Sequence, residues 1–336
     1  MPGFDLWRIG ASHRLHRIPV VTLMPHSRCN CRCVMCDIWK ANRNGTSFDA
    51  AGLEPLVEDL ARLRVSRLVL SGGEALLHPN LWSLCRALKA LPLRITLLSS
   101  GLLLARHAEG ITQWCDEVIV SLDGPEEVHD RIRGVRNAFG ALAEGIAALR
   151  RLAPDFAVDG RCVVQRANFC ELAATIDSAR RIGLDHISFL PADTASTAFN
   201  RAEPWDTERA GEIDLTAEES TEFAGLIETL IATHAADFAD GFIRETPERL
   251  RRVAQRFLAR KGLAPTPAVQ CNAPWVSAVI EADGTIRPCF FHPPMGNIRD
   301  GGLAEILNSP DALAFRRALD VRSDPVCRDC VCSLRL

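Results

Sequence analysis

The stretch Arg67-Leu68-Val69-Leu70-Ser71-Gly72-Gly73-Glu74 decides the fold, because a short apolar run ends abruptly in a polar turn that contains two glycines. The same arrangement recurs along the chain, where Ser99-Ser100-Gly101 and Ser121-Leu122-Asp123-Gly124 close two further apolar runs. In parallel α/β sheets the loops that leave the carboxyl ends of the strands gather at one face, and this face carries the chemistry. The three turns therefore predict a parallel sheet with a functional site at one end.

Strand and helix patterns alternate from the N-terminus to about residue 191, which is typical of repeated βα units. The predicted strands are Ile18 to Leu23, Arg67 to Ser71, Arg94 to Leu98, Glu117 to Leu122, Val158 to Val164 and His186 to Leu190. The helix patterns between them include Leu53 to Leu63, Leu81 to Leu91, Ala138 to Leu152 and Leu172 to Ile182. Each is long enough for a right-handed crossover. The predicted fold class is therefore α/β, a partial (βα)6 TIM-like barrel with a small C-terminal α+β domain.

We expect four parts along the chain. They are an N-terminal extension over residues 1–16, the barrel over 17–191, a linker with a helical segment over 192–269, and the small domain over 270–336. Thr216 and Glu219 form a capping box at a helix start in the third part. The small domain opens with a hairpin that turns at Asp283-Gly284, and a last helix begins at Ser309-Pro310.

Composition and charge narrow the class of partner. With 39 Lys and Arg against 42 Asp and Glu, the formal net charge is −3, so the chain has no basic field for a nucleic acid or an anionic membrane. No segment has the pattern of a secretory signal or the length of a membrane span. These features favour the cytoplasm and a small-molecule or peptide substrate.

The chain contains 13 cysteines, which without a secretory signal indicate metal binding wherever they cluster. Four of them stand apart from the clusters, in apolar patterns, and are predicted to be small buried hydrophobic residues: Cys85, Cys115, Cys162 and Cys170.

Cys29, Cys33 and Cys36 follow the first predicted strand with the spacing Cys-x3-Cys-x2-Cys, and Cys31 lies between the first two. Three thiolates can bind three irons of a [4Fe-4S] cubane and leave the fourth iron without a protein ligand. Such an iron can bind a cofactor or a substrate. A structural zinc site that uses all four cysteines is the alternative, although those sites usually have separated Cys-x2-Cys pairs.

The cysteine spacing, its position after the first strand and the downstream Gly72-Gly73-Glu74 resemble the radical S-adenosylmethionine (radical SAM) superfamily over residues 17–191. The resemblance implies that the open iron chelates the amino and carboxylate groups of S-adenosylmethionine. It also implies that an electron from a flavodoxin- or ferredoxin-type donor cleaves the sulfonium, and that the 5′-deoxyadenosyl radical so formed abstracts hydrogen from the substrate. The cofactor then supplies the reactive chemistry, and the protein supplies orientation and exclusion of water.

The resemblance also implies cofactor contacts. Gly72, Gly73 and Glu74 match the motif that receives the methionine amino group, since glycine permits close backbone approach and a carboxylate accepts from an ammonium. The other implied contacts are Ser99, Ser100 and Gly101 for the methionine or ribose, Ser121 and Asp123 for the ribose or substrate, Arg133 for the cofactor carboxylate, and Met35 near the adenine. Met35 stands where the family often has an aromatic residue, and Ala75 stands where it usually has proline.

A second group of cysteines lies near the C-terminus, at Cys271, Cys289, Cys327 and Cys330. A dispersed pair followed by Cys-x2-Cys suits either a cubane cluster or tetrahedral zinc. With Gly284 between the first two, the group resembles the SPASM extension in its one-cluster form, called Twitch. The resemblance implies one auxiliary [4Fe-4S] cluster that accepts an electron or anchors the substrate, with Cys332 free or an alternative ligand.

The sequence therefore predicts a radical SAM enzyme, an oxidoreductase or transformase, that acts on a small metabolite or a saccharide-like substrate. Only a short segment precedes Cys29, whereas peptide-modifying relatives commonly carry a leader-binding module there. Modification of a peptide that a separate protein recognises is one alternative, and a non-catalytic, zinc-bound binding module on the same fold is another. Candidate substrate contacts are Arg161, Gln165, Asn168 and Asp193 near strand ends, and His292 beside the second cysteine group.

Overall fold

A computed structural model describes residues 12–49, 53–332 and 334 and shows a mixed α/β fold built on one sheet. Its strands are β1 Val20–His26, β2 Arg67–Gly72, β3 Arg94–Ser99, β4 Glu117–Ser121, β5 Ala157–Val164, β6 His186–Pro191, β7 Ser277–Ile280, β8 Thr285–Arg287 and β9 Gly296–Asn297. Across the described part of the chain the strand order is β6-β5-β4-β3-β2-β1-β7-β8-β9. Strands β1 to β6 pair in parallel with their neighbours, as in a partial TIM barrel.

Helices connect the barrel strands and build most of the C-terminal half. They are α1 Leu53–Arg62, α2 Leu81–Leu88, α3 Leu104–Trp114, α4 Glu126–Arg133, α5 Ala138–Leu152, α6 Leu172–Arg181, α7 Thr207–Ile213, α8 Ala217–Thr233, α9 Ala235–Ala239, α10 Pro247–Arg260, α11 Ala273–Val276, α12 Leu303–Ile306, α13 Pro310–Ala318 and α14 Pro325–Asp329, with 3-10 helices at Ile38–Asn44, Ala75–Leu77 and Phe169–Glu171. Among the described residues, no helix combines the length and the apolar character that crossing a bilayer requires.

The predicted fold class is confirmed, and each of the six predicted strands overlaps one of β1 to β6. The predicted capping box is present at the start of α8, where Thr216 Oγ1 accepts from Glu219 N at 3.1 Å. The helix that begins at Ser309-Pro310 is not the last one, so that prediction is wrong. α14 follows it, because Asp324 caps a further helix by accepting from Cys327 N at 2.9 Å.

Alternate residues of the barrel strands face opposite sides of the sheet. Leu68, Leu70 and Val118 are fully buried against the surrounding helices, and burying such a side chain contributes about 1.5–3 kcal/mol. The opposite face of β5, which includes Arg161 and Val163, is only half-buried. Val163 packs with the segment that carries the first cysteines. This face therefore lines the interior of the barrel.

The C-terminal region joins the barrel sheet at the edge next to β1. β7 pairs in parallel with β1, and β8 returns antiparallel to β7, which confirms the predicted hairpin. Residues 12–16 pack on the same region, since Leu15 N donates to Asn308 Oδ1 at 2.7 Å and Arg316 Nε donates to His13 O at 2.7 Å. The partial barrel and the C-terminal region therefore share one continuous sheet.

The four cysteines outside the clusters differ in their exposure. Cys85, Cys115 and Cys162 are buried, as predicted. Cys170 is exposed, so its predicted burial is wrong. It lies in the 3-10 helix Phe169–Glu171, where Phe169 is the side chain that faces the core.

Candidate functional site

The cysteine loop, residues 29–36, connects β1 to the 3-10 helix that follows. The side chain of Asn42 from that helix donates to Cys29 O at 2.8 Å and accepts from Cys29 N at 3.0 Å. On its other side the loop is bonded to the end of α4, where Arg32 N donates to Arg133 O at 2.9 Å. These contacts fix the loop at the carboxyl ends of the barrel strands.

Side chains from the segment after β6 cover the same loop. Trp205 Nε1 donates to Asp37 Oδ2 at 2.8 Å, and Arg201 Nη2 donates to Met35 O at 3.4 Å. Arg201 also forms an ion pair of 2.8 Å with Asp193, and both side chains are buried. The segment predicted to be a linker therefore forms part of the wall of the site.

The thiols of the cysteine loop lie close enough to change one another's ionisation. A hydrogen bond from Cys31 and the nearby guanidinium of Arg133 lower the pKa of Cys33 to about 7, although burial opposes them. Burial, with the charges of Cys33 and Cys29, raises the pKa of Cys36 to about 12. Arg133 Nη1 lies 3.7 Å from Cys33 Sγ. A fixed cation beside converging thiols suits a negatively charged metal–thiolate centre.

A buried ion pair holds Arg133 in this position. Its Nη2 lies 2.5 Å from Asp123 Oδ2, with side-chain exposures of 8% and 0%. Asp123 Oδ1 also accepts from Val163 N at 2.9 Å. Burial raises the pKa of the Asp123 carboxyl, and Arg133 opposes this. These two predicted cofactor contacts therefore pair with each other. Removing one partner of a buried ion pair lowers the stability of the fold by about 3–5 kcal/mol.

Glu74 is almost fully buried and accepts hydrogen bonds from the turn after β3. Its carboxylate accepts from Ser100 N at 2.8 Å, from Ser100 Oγ at 2.6 Å and from Ser99 Oγ at 3.2 Å. Burial raises the pKa of Glu74, and the bonds from Ser100 oppose this. The structure therefore brings together three residues that the sequence places on two separate turns.

Asn30 of the cysteine loop lies on the same hydrogen-bond network. Its Oδ1 is 3.0 Å from Ser100 Oγ. Its Nδ2 is buried and has no hydrogen-bond partner within the described part of the chain. An amide donor is therefore available next to the turns that carry Glu74 and Ser100.

Gly72 and Gly73 pack directly on the strand and loop that lead to Cys29. Gly72 has a φ of +113°, and a Cβ built on it would lie 2.7 Å from His26 O. A Cβ on Gly73 would overlap the carbonyl group of Arg28. Both positions therefore require glycine, because the two backbones approach so closely.

The C-terminal cysteines also converge. Burial raises the pKa of Cys289 to about 11, and the charges of Cys271 and Cys332 act in the same direction. Burial and, among other charges, those of Cys289 and Cys271 raise the pKa of Cys327 to about 12. Burial likewise raises the pKa of Cys330, with added effects from Cys332 and Cys289. The four predicted ligands and Cys332 therefore lie within range of one another's charge.

His292 lies beside this second group. Its Nε2 is 3.3 Å from Cys327 Sγ and 3.8 Å from Asp324 Oδ1. The ligand-type atoms of these three residues all lie within 4.8 Å of one another. The second group thus offers nitrogen and oxygen donors next to its thiols.

Two cavities lie near the two cysteine groups, and Cys332 lines the second of them. One, of about 570 Å³, is lined by Gly72 and Gly73 together with Arg201 and Phe290. The other, of about 700 Å³, lies between β5, β6, α10 and the segment after Cys330, and we call it the β5–β6 cavity. Both fall within the range of roughly 300–1,000 Å³ that small-molecule sites occupy.

Comparison with known proteins identifies both halves of this arrangement. A sequence profile of the Radical SAM superfamily matches residues 23–179, and a profile of the SPASM iron-sulfur cluster-binding domain matches residues 271–331. This chain belongs to the radical SAM superfamily. Its C-terminal region is a SPASM-type domain, as the second group of cysteines predicts.

Three known proteins show how far the likeness extends. The AdoMet-dependent heme synthase of Methanosarcina barkeri (strain Fusaro / DSM 804) is 29% identical over 195 residues, which cover 54% of this chain and 53% of the synthase. The Fe-coproporphyrin III synthase of the same strain is 27% identical over 315 residues, which cover 86% of this chain and 73% of that protein. The crystal structure of Streptococcus suis SuiB bound to precursor peptide SuiA matches with a TM-score of 0.67 at 12% identity, over 98% of this chain and 74% of SuiB. The alignment thus spans about half of the heme synthase, and the likeness to SuiB shows the fold.

Membership of the radical SAM superfamily confirms the predicted cofactors, namely a [4Fe-4S] cluster, S-adenosylmethionine and an auxiliary iron–sulfur centre in the SPASM-type domain. The residues fit these groups, because thiols converge in two places and a buried cation lies beside the first. The assignment of Cys29, Cys33 and Cys36 to the radical SAM cluster, and of Cys271, Cys289, Cys327 and Cys330 to the auxiliary cluster, stays a prediction. Cys31 and Cys332 lie next to these ligands without an assigned role.

Other predicted contacts of this radical SAM protein are engaged within the fold. Gln165 and Asn168 are buried, and Asn168 accepts from Gln165 N and donates to Asp123 O, both at 2.8 Å. Ser121 is half-buried at the end of β4. Their roles toward cofactor or substrate stay predictions. No local sequence pattern marks Asn42 and Trp205, whose side chains hold the cysteine loop and the adjoining Asp37.

We expect Gly73→Ala to displace the start of the cysteine loop. The added methyl group would overlap the carbonyl of Arg28, next to Cys29, and overpacking of this kind costs about 1–3 kcal/mol. The affinity for S-adenosylmethionine is therefore expected to fall about tenfold, with less iron retained per chain. Equilibrium dialysis and iron analysis measure both quantities.

The matched control for this prediction is Gly225→Ala, because a Cβ on Gly225 meets no atom within 4 Å. This variant should bind iron and S-adenosylmethionine as the parent protein does. Full iron content and unchanged affinity in Gly73→Ala would contradict the close packing between the glycine turn and the cysteine loop.

Proposed function

We propose that this chain is an enzyme that reductively cleaves S-adenosylmethionine and abstracts hydrogen from a small-molecule substrate bound in the β5–β6 cavity. In this proposal Cys29, Cys33 and Cys36 hold the catalytic cluster, and the C-terminal cysteines hold one auxiliary cluster that accepts an electron or anchors the substrate. When bound, the cluster and S-adenosylmethionine would supply one-electron cleavage of the sulfonium and a 5′-deoxyadenosyl radical that takes a hydrogen atom from the substrate. We assign two functional domains, the barrel over residues 17–191 and the small domain over 270–336. The segment 192–269 joins them.

The position of the β5–β6 cavity is the observation that carries the proposal. Arg161 lines the cavity from the interior face of β5, the face on which Val163 packs with the cysteine loop. Gln270 and Cys332 line it from the side of the SPASM-type domain. A ligand in this cavity would contact the barrel interior and the auxiliary cysteine segment at the same time.

In this proposal the chain's own residues orient the cofactor and exclude water from the site. Glu74 fixes Ser99 and Ser100 through hydrogen bonds, and thereby fixes the turn to which the family resemblance assigns contacts with methionine or ribose. The buried Asn30 Nδ2 is a donor that suits the cofactor carboxylate. Trp205 covers the cysteine loop and helps to exclude water from it.

The antilisterial bacteriocin subtilosin biosynthesis protein AlbA of Bacillus subtilis (strain 168) also aligns over 84% of this chain, at 24% identity. A small molecule is nevertheless favoured over a peptide by two relatives of higher identity that align over half or more of this chain. They are named for the synthesis of heme and of Fe-coproporphyrin III, which are small molecules. SuiB was solved with a precursor peptide, but its 12% identity supports a common fold and not a common substrate. Coproporphyrin III is therefore the first compound to test with this chain.

The proposed function is tested by anaerobic reconstitution with iron and sulfide followed by reduction with dithionite. We expect the protein to bind S-adenosylmethionine and to form 5′-deoxyadenosine, which liquid chromatography quantifies. A colourless, zinc-loaded protein whose absorption spectrum does not change with dithionite would contradict the proposal and favour a non-catalytic binding module.

A further inference from the structure

The β5–β6 cavity is lined by an unusual concentration of positive charge. Arg249, Arg252 and Arg256 line it from α10, at successive spacings of three and four residues. These spacings place the three side chains on one face of the helix. Arg161 lines the cavity from β5, and Glu245 is its one acidic lining residue within the described part of the chain.

We call these four arginines the arginine cluster. Within the described residues, no ion pair of 4 Å or less involves Arg161 or the three arginines of α10. Two other arginines of α10 are paired, Arg251 with Glu228 at 2.7 Å and Arg260 with Asp214 at 3.1 Å. Like charges three and four residues apart destabilise a helix. Arg249 and Arg252 are exposed and Arg256 is half-buried, so a stripe of this kind facing a cavity is accessible to an anionic ligand and suits one.

Glu245 does not neutralise the arginine cluster. Its Oε2 accepts from Phe189 N at 3.0 Å, and its charge interacts with those of Arg249 and Arg161, but it is a single carboxylate beside four arginines. Burial also raises the pKa of Glu245, which disfavours its charged form. One partly buried carboxylate thus faces four guanidinium groups.

Arg256 is the member of the arginine cluster that lies beside the C-terminal cysteines. Its Nη1 donates to Arg328 O at 2.9 Å, and Arg328 lies in α14 between Cys327 and Cys330 in the sequence. Burial lowers the pKa of Arg256, and the charge of Arg260 acts in the same direction. A partly desolvated cation is stabilised by an anion that approaches it. The cluster therefore extends from the interior face of β5 to the edge of the SPASM-type domain.

We propose that the arginine cluster binds a small-molecule substrate through two or more carboxylates, an inference that rests on the proposed function. Arginine recognises carboxylates in a bidentate geometry, with charge-assisted hydrogen bonds. Two anchored carboxylates would fix the orientation of the ligand in the cavity. Its remaining C–H groups would then face the barrel interior, where Val163 packs with the cysteine loop.

The test measures binding of coproporphyrin III, a tetracarboxylate, to the reconstituted full chain by equilibrium dialysis with porphyrin fluorescence. Its tetramethyl ester, which has no charge, should bind at least tenfold more weakly. The double variant Arg249→Gln/Arg252→Gln should lose about tenfold in affinity for the acid per arginine removed, and the affinity of the parent protein should fall as salt is raised. The ester's affinity should change little in either comparison.

Arg251→Gln is the matched control, because Arg251 lies on the same helix but pairs with Glu228 on another face. It should bind coproporphyrin III as the parent protein does. Equal affinities for acid and ester, or an equal loss in Arg251→Gln and in the double variant, would overturn the proposal. A hexaglutamate peptide that binds the cluster more tightly than coproporphyrin III would overturn the choice of a small molecule.

Formation of 5′-deoxyadenosine in the same preparation separates this inference from the proposed function. Cleavage of S-adenosylmethionine without binding of the tetracarboxylate would overturn the arginine cluster as a carboxylate site and leave the proposed activity intact. Carboxylate-dependent binding without any cleavage would support the cluster and overturn the proposed activity.

Discussion

Replacing Cys33 with alanine is expected to reduce formation of 5′-deoxyadenosine to the level of a protein-free control. The side chain of Cys33 is 7% exposed, and Arg133 Nη1 lies 3.7 Å from its sulfur. A cluster held by three thiolates has no spare protein ligand, so removal of one leaves the iron site incomplete. It also leaves the Arg133 charge without a thiolate beside it. Chromatography of the reduced, reconstituted variant measures the loss of 5′-deoxyadenosine. Iron analysis should show only the iron of the auxiliary cluster.

Two other cysteine variants make this result specific. Cys170 is exposed and lies outside both cysteine groups, so Cys170→Ala should cleave S-adenosylmethionine as the parent protein does. Cys31 is buried and lies close enough to Cys29 and Cys33 to lower the pKa of both, so Cys31→Ala tests whether it serves as a ligand instead. Unimpaired cleavage in Cys33→Ala, together with loss in Cys31→Ala, would overturn the ligand assignment.

The parts of the site that the sequence predicts are those with local signals. An apolar run followed by Ser71-Gly72-Gly73-Glu74 predicts a strand and a turn, and β2 ends at Gly72. The grouping of Cys29, Cys33 and Cys36 can be predicted without the fold, because all three lie on one loop. The hairpin at Asp283-Gly284 is predicted for the same reason, since its turn residues are adjacent in the sequence.

The rest of the site depends on contacts between residues that are distant in the sequence. Trp205 reaches Asp37 across 168 positions, and no local pattern distinguishes it from a side chain in a polar linker. Asp123 and Arg133 are predicted as separate cofactor contacts, yet they pair with each other because the turn after β4 meets the end of α4. The stripe of α10 is visible as a spacing of arginines, but that spacing does not reveal a cavity beside it.

Glu74 shows why such contacts change the interpretation of a motif. As a residue of a Gly-Gly-Glu turn, it is predicted to meet the cofactor directly. In the structure it is 1% exposed, and its carboxylate accepts from both Ser99 and Ser100. Buried charges need several hydrogen bonds to offset their desolvation, and these two serines provide them. Glu74 therefore also joins β2 to β3 at the end of the sheet where the cysteine loop lies.

Replacing Cys330 with alanine is expected to separate the two halves of the proposed reaction. Hydrogen bonds to the cysteine loop include those with Asn42, Ser100, Arg133, Arg201 and Arg209, and within the described residues none comes from the SPASM-type domain. Loss of a ligand there should leave the first site intact, so the variant should still form 5′-deoxyadenosine when reduced. Iron should fall from about eight to about four atoms per chain, since each cubane holds four.

Turnover of substrate should nevertheless be lost in Cys330→Ala, so that cleavage becomes uncoupled from product. Cys330 follows the helix whose Arg328 O accepts from Arg256, and Arg256 lines the β5–β6 cavity. Damage at this position therefore affects the wall of the cavity as well as the auxiliary cluster. Cys289→Ala separates these two effects, because Cys289 is a predicted ligand that does not line that cavity. If both variants cleave S-adenosylmethionine without forming product, the auxiliary cluster is what couples cleavage to turnover of the substrate. Complete loss of 5′-deoxyadenosine in either variant would instead contradict the independence of the two sites.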